Sequence, residues 1–393
     1  MIAAMSGGVD SAVAAGLLAE SGYDVVGVTM KMYAPTRPAS ARSCCGIDDF
    51  DDARASATVL NIPHYVLDFE ETFQRNVIDR FVDEYARGRT PNPCVSCNNF
   101  VKLGTLARYA QQLNATFVAT GHYARIEHRD DGPHLFRNPF EKDQAYALAQ
   151  LAPAQLAQLL LPLGTLSKAT TRAHARRLGL PVHDKTESQD ICFVEGGDYR
   201  DVLDRLRPDI DQPGDFVNAS GARVGTHVGV ARYTVGQRAA LASNGNKLAS
   251  NGSALGEKVD GAAHIDGARY VTRIDASTNT IIVGREDELY SGALIADEVN
   301  LIRPDRFHVI PSAASAEREW SRGTDEIQCD ETRVFAMIRY RSAPALAYAS
   351  LREDGTLNLR FEHPQRAIAP GQLVALFDEH DEVLGAATIK VAL

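Results

Sequence analysis

The sequence is short of several features that would each have fixed its class. No apolar run approaches the roughly 18 residues that a membrane-spanning helix needs, and Asp10 interrupts the N-terminus before a signal-peptide core could form. A cytoplasmic protein is the expectation. No glycine-rich stretch ends in Gly-Lys-Ser or Gly-Lys-Thr, which excludes a Walker-type phosphate loop, and the dinucleotide fingerprint G-x-G-x-x-G is absent too. Positive charge is in deficit: 41 Lys and Arg against 51 Asp and Glu give a formal charge of −10. That argues against a protein that coats nucleic acid without specificity, while leaving room for local basic patches. Cysteine is scarce as well. Six in 393 residues do not make a disulfide framework in a cytosolic chain, and they point instead to thiol or metal chemistry.

What is present begins at the N-terminus. The run Ser6-Gly7-Gly8-Val9-Asp10-Ser11 sits between a short apolar strand, Ile2 to Met5, and an amphipathic segment whose Val13, Ala14, Leu17 and Leu18 share a face. Adjacent glycines let the backbone turn tightly and approach a ligand. Ser11 is expected to cap the helix, and free amides at a helix start make an anion site to which Ser6 and Ser11 add hydroxyls. A plain strand-to-helix turn would look the same. The wording SGGxDS nevertheless resembles the PP-loop of ATP pyrophosphatases, which implies cleavage of ATP between the α and β phosphates.

The length allows two or three domains. Through the first half, strand-like and helix-like segments alternate: Asp24 to Met30, a helix with Phe50, Ala53, Ala57 and Leu60, His64 to Asp68, a helix marked by Phe73, Val77, Phe81 and Tyr85, and Ala115 to Thr120. Tyr123 to Asn138 reads as a hairpin turned at Asp131-Gly132. The fold class is α/β, a doubly wound parallel sheet, in which ligands bind beyond the carboxyl ends of the strands, where the glycine loop, Met30 and Gly121 would converge. Residues 1–200 form this catalytic domain, 201–268 a small central domain, and 269–393 a C-terminal β-barrel of short strands. Leu241 to Gly267 is of low complexity, with Leu-Ala-Ser-Asn-Gly repeated, and Asp305 to Glu331 reads as a polar insertion.

The second chemical signal is Thr90-Pro91-Asn92-Pro93-Cys94-Val95-Ser96-Cys97, a stiff turn entering a helix whose apolar face is Leu103, Leu106, Ala110 and Leu113. Cys94 and Cys97 fall near a helix N-terminus on one side, where the dipole favours thiolates. Two buried small hydrophobes would be the bland alternative. Cys192, between Ile191 and Phe193, reads alone as a core residue; Cys44-Cys45 are suggestive only, and Cys329 is incidental. Arg172, His174, Arg176 and Arg177, with Arg200, Arg205 and Arg207, are the expected basic surface.

Taken together these blocks resemble the bacterial tRNA-specific 2-thiouridylases over nearly the whole chain. The matching stretches are Ala4-Met5-Ser6-Gly7-Gly8-Val9-Asp10-Ser11, Thr90 to Pro93 with Cys97-Asn98, Ala119-Thr120-Gly121-His122-Tyr123, Lys142-Asp143-Gln144, Glu187 to Phe193, and Tyr233 to Arg238. The resemblance implies ATP-dependent sulfur insertion at C2 of the wobble uridine in tRNAs for lysine, glutamate and glutamine. It implies that Ala4 to Ser11 hold the phosphates, with Met30 and Gly121 against adenine and ribose. Asn92, Pro93 and Cys94 would border the flipped base, while His122, Lys142, Asp143, Gln144, Arg339, Tyr340 and Gln372 would touch tRNA. Mg²⁺ is expected with the pyrophosphate, and the sulfur would come from a donor protein such as a cysteine desulfurase or a relay protein.

In the family the cysteine matching Cys97 carries a persulfide, and that matching Cys192 resolves it or forms a disulfide. Many members have aspartate where this chain has Cys94. Cys94, Cys97 and Cys192 could therefore alternatively ligate a [4Fe–4S] cluster with one open iron, and both mechanisms stay open at this point. Other PP-loop enzymes, such as argininosuccinate or GMP synthetase, and an ATP-binding redox regulator are the rival readings.

Overall fold

The computed structural model describes residues 1–33, 47–186, 191–194, 197–239, 268–310 and 331–393. Cys44, Cys45, Cys329, the low-complexity stretch 241–267, most of the polar insertion and the Glu187 to Asp190 part of the stretch Glu187 to Phe193 lie outside the described residues.

The N-terminal region is built on five parallel strands, β1 (Ile2–Ala4), β2 (Val26–Lys31), β3 (His64–Asp68), β4 (Val118–Ala119) and, after the antiparallel hairpin β5 (Ala124–Arg129) and β6 (Gly132–Arg137), β7 (Leu159–Leu160). Their order is β3-β2-β1-β4-β7, so the chain winds outward from β1 in one direction and then the other. Successive side chains of a strand point to opposite faces, and β1 shows the result. Ile2 and Ala4 enter one core with Phe73, Val77, Phe81, Val101 and Leu106. Ala3 and Met5 enter another, with helix α1 (Val9–Glu20), helix α2 (Ile47–Val59) and Ala175. Both faces are covered, which gives the expected doubly wound sheet, and its switch point between β1 and β4 opens a crevice at the carboxyl edge.

Helix α1 begins at Val9 with Gly8 as its N-cap, not at the expected Ser11. The paired glycines complete the turn early, which leaves Ser11 inside the first turn with its hydroxyl directed back to the Gly8 carbonyl at 3.1 Å. The hairpin turns over Asp130 and Asp131, because Arg129 already pairs with Gly132.

Beyond residue 200 a second sheet of order β10-β11-β12-β8-β9 joins β8 (Gly214–Val217), β9 (Arg223–His227), β10 (Arg238–Ala239), β11 (Arg269–Asp275) and β12 (Thr280–Gly284) around Phe216, Val271, Ile281 and Val283. The pairing of β12 with β8 puts residues 269–284 in this middle sheet, on the far side of the 268/269 boundary read from composition. The C-terminal barrel runs β16-β15-β18-β19-β13-β17 and closes through β16 with β17; β14 (Val309–Ile310) lies alongside β16. Two of its strands, β13 (Tyr290–Leu301) and β16 (Ala345–Arg352), were not legible from composition; the others are β15 (Thr332–Met337), β17 (Leu357–Arg366), β18 (Leu373–Phe377) and β19 (Val383–Ala392).

The barrel is not an appendage. Met337, Leu373, Ala375, Phe377 and Val383 pack into the same core as Ile2 and Phe73. Gln372 donates to the Thr90 carbonyl at 2.8 Å, and the Pro370 carbonyl accepts from the Thr90 amide at 2.7 Å. The turn that leads to the paired cysteines is thereby held by the barrel.

Candidate active site

The glycine turn follows β1 at the switch point. Gly7 has φ +73, and a Cβ there would overlap the Asp49 carbonyl, so the turn is pressed against α2 in a conformation that only glycine takes readily. Ser11 Oγ accepts the Ser6 amide at 3.1 Å and lies 3.2 Å from Ser6 Oγ, which folds the loop around the helix start. Gly121, after β4, sits against the Asp10 and Ser11 backbone so closely that a Cβ would come 2.7 Å from the Ser11 nitrogen. Three donors converge on the Asp10 carboxylate: Tyr123 Oη at 2.8 Å, Lys168 Nζ at 2.6 Å and Lys142 Nζ at 3.0 Å. Lys185 ties the other side of the loop, reaching the Gly7 carbonyl at 3.1 Å, Asp49 at 2.7 Å and Asp52 at 2.5 Å.

The paired cysteines stand at the start of a helical run over residues 93–112. Asn92 caps it by accepting the Cys94 amide at 3.1 Å, and Pro93 supplies the preset first turn. Cys94 is exposed. Cys97 is buried, its Sγ 3.9 Å from Met32 Sδ, and it opens a wider π-helical stretch, Cys97–Thr105; such stretches recur at functional sites. Cys192 is held from both directions. Its neighbour Phe193 is buried edge-on to Phe73 and Phe81, with ring centres 5.8 and 5.2 Å apart, and the Tyr33 hydroxyl donates to the Cys192 carbonyl.

One cavity of about 400 Å³ joins these parts. Ala4, Met5, Ser6, Asp10, Ser11 and Met30 form the side next to the loop. Asn92, Pro93, Cys94, Cys97 and Cys192 form the opposite wall, and Gly121, His122, Gln144 and Tyr340 close it. Burial, aided by the Lys102 ammonium, pushes the His122 imidazole down to about 3, and its Nδ1 meets Thr120 Oγ1 at 2.8 Å; it is neutral at ordinary pH.

Other residues singled out in the sequence are turned to internal work. The Asp143 carboxylate is engaged by Arg137, by the Asn138 amide at 2.9 Å and by the Ala145 amide. Arg339 donates to the Arg366 carbonyl. Of the expected basic surface, Arg172 holds the His183 and Lys185 carbonyls, while Arg176, Arg177 and Arg207 pair with Asp184, Glu20 and Asp83.

Lys168, Lys185, Lys102 and Thr29 were missed. Only Lys168 carried a sequence signal, the helix start Ser167-Lys168, where Ser167 accepts the Thr170 amide. Among the described residues no three Cys, His, Asp or Glu side chains are gathered to hold a metal ion.

A parallel α/β sheet that ends its central strand in an SGGxDS turn defines a nucleotide-binding domain of the PP-loop class. Family profiles match in three blocks: a tRNA methyl transferase HUP domain over residues 1–196, a tRNA methyl transferase PRC-barrel domain over 200–285 and an aminomethyltransferase beta-barrel domain over 315–389. Relatives named tRNA-specific 2-thiouridylase MnmA align nearly end to end. That of Clostridium perfringens is 39% identical over 100% of this chain and 99% of its own. That of Rhodospirillum centenum is 42% identical over 98% and 90%, and that of Carboxydothermus hydrogenoformans 41% over 100% and 98%. The chain belongs to the tRNA-specific 2-thiouridylase family. The profile names speak of methyl transfer; the phosphate loop facing three thiols suits thiolation.

Proposed function

We propose that the protein is an ATP-dependent tRNA-uridine 2-sulfurtransferase acting on the wobble uridine, with ATP in the loop half of the cavity and the sulfur carried by cysteine in the other half. The observation that supports this most directly is the shared cavity: Ser6, Asp10 and Ser11 line it together with Cys94, Cys97 and Cys192. A carbonyl carbon in a uracil ring is a poor electrophile until its oxygen becomes part of a leaving group. The C2 oxygen attacks the α-phosphorus of ATP, the bond to the bridging oxygen breaks, and pyrophosphate leaves with that electron pair; the base loses its N3 proton. The terminal sulfur of a Cys97 persulfide then attacks C2 and AMP departs with the oxygen. Cys192 thiolate attacks the Cys97 sulfur of the resulting disulfide, releasing 2-thiouridine and leaving a Cys97–Cys192 disulfide. The sulfane sulfur is reduced as two thiols are oxidised, and an external thiol reductant restores them.

Ser6, Ser11 and the free amides of the loop would bind the phosphates, and Mg²⁺ would arrive with ATP as part of the substrate. Met30 and Gly121 would flank the nucleoside, and Asn92, Pro93 and Tyr340 the flipped base. His122, neutral, would offer a hydrogen bond without charge. The substrates would be cytoplasmic tRNAs for lysine, glutamate and glutamine, and sulfur would come from a cysteine desulfurase or a relay protein.

The test is incubation with unmodified tRNA, ATP and a persulfide donor, followed by mass analysis of the nucleosides. One 2-thiouridine per pyrophosphate is expected, and pyrophosphate release without thiolated uridine would refute the proposal. The Cys94-x-x-Cys97 spacing with Cys192 favours one second reading, cluster-bound sulfide. Iron and acid-labile sulfide in anaerobically purified active protein would establish it in place of the persulfide.

A further inference from the structure

We infer that two copies of the protein pair through the outer edge of β3, antiparallel about a two-fold axis at Val66, so that their parallel sheets join into one. The inference is independent of the proposed chemistry and starts from how β3 is exposed. Strands of a parallel sheet are ordinarily covered on both faces, yet two successive large apolar residues of this one reach solvent, Tyr65 at 59% and Val66 at 39%. Tyr65 shares one face with Leu67, and Val66 shares the other with His64 and Asp68. Among the described residues β3 has one partner, β2, and stands last in the sheet.

The backbone fixes which groups look outward. The Pro63 carbonyl accepts the Gly27 amide at 2.8 Å and the Phe69 amide donates to the Lys31 carbonyl at 2.9 Å, so residues 63, 65, 67 and 69 turn their backbone groups to β2, and residues 64, 66 and 68 turn theirs to the edge. Pro63 lacks an amide hydrogen on the side that faces β2, so it does not blunt the outer edge, and β3 carries no lysine to do so. A two-fold axis at Val66 sets Val66 opposite its own copy and His64 opposite Asp68, each as a pair that exchanges two backbone hydrogen bonds, with Tyr65 opposite Leu67 between them. Every outward amide and carbonyl of β3 then has a partner. Tyr65 and Val66 are covered, and Asp68 meets a histidine instead of a second carboxylate. The run His-Tyr-Val-Leu-Asp is polar at both ends and apolar between, so the edge is complementary to itself, which selects a second copy as its occupant. The joined edge lies two strands away from β1, and the crevice between β1 and β4 is left to each copy.

The test is sedimentation equilibrium of the full-length, reduced protein over a dilution series from roughly 100 μM downward, because the population of a dimer depends on protomer concentration. The parent is expected to approach twice the chain mass at the upper end. The Tyr65→Lys and Val66→Lys variants, whose changes the two-fold axis applies twice, should each need about tenfold more protein, or beyond, to reach the same state. A Val66→Cys variant reads the register itself and decides the matter should a lysine variant fail to fold. The two Val66 Cα atoms would lie about 5.5 Å apart, within disulfide reach, so mild oxidation should link that variant and not the parent through the peptide containing position 66. A parent that is monomeric throughout would overturn the pairing. So would a dimer that both lysine variants leave unchanged, or a Val66→Cys variant with no cross-link at that position.

Discussion

Gly7 is the residue at which geometry and chemistry are least separable. Its positive φ and the Asp49 carbonyl behind it leave no room for a side chain. Gly7→Ala should cost about 1–3 kcal/mol of stability in urea unfolding and abolish ATP binding, whereas a variant as stable as the parent would show that the turn can relax. His122 gives a pH signature. Its imidazole titrates at about 3 in the folded protein, chiefly because burial disfavours its charged form, and near 6.5 when unfolded. Between those values the unfolded chain binds the proton and the folded one does not, so stability falls as pH drops from about 6.5 toward about 3. His64 and His227 are also lowered, by burial first, and act in the same direction. His122→Gln should therefore flatten the acid limb of an unfolding profile without removing it; an unchanged limb would contradict the assigned burial.

At the scale of elements, the helical run over residues 93–112 carries its instructions openly. Asn92 and Pro93 start it, and Cys94 and Cys97 follow in its first turns. Asn92→Ala removes the cap and should cost about 1 kcal/mol, with thiolation lowered more than pyrophosphate release, because the thiols shift and the phosphate loop does not. Equal losses in both would show that the cap acts on the whole cavity. Strands with a run of β-branched residues, such as Val26–Lys31, were legible for the same reason that this helix was: local pattern and final environment agree. Strand β16, Ala345–Arg352, was not, since four of its first six residues are alanine or serine and its strand character comes from pairing on both sides. Ser11 was misread as a cap because Ser-Gly-Gly-x-Asp-Ser offers several starting points, and only the packing of Gly7 on α2 selects Gly8.

Over the whole molecule, the decisive feature is a core that disregards the domain divisions. Ile2, Phe73, Phe193, Leu373 and Phe377 belong to one apolar cluster, and Asn300 in the barrel donates to the Leu151 carbonyl at 2.9 Å. The N-terminal region and the barrel should accordingly melt in a single calorimetric transition, and two separated endotherms assigned to them would contradict this. The motifs were legible because each is a short run of special residues. The contact of Lys168 with Asp10 was not, since the two lie 158 residues apart and only the fold unites them.

The same union of distant parts underlies the proposed function, in which activation at the loop and sulfur delivery at the thiols would be separate acts within one cavity. Replacing Cys97 by serine tests this most directly, with pyrophosphate and 2-thiouridine measured in the same reaction with unmodified tRNA and ATP. The account predicts that tRNA-dependent pyrophosphate release continues while 2-thiouridine falls to background. A Cys97→Ser protein that still thiolates tRNA would contradict it.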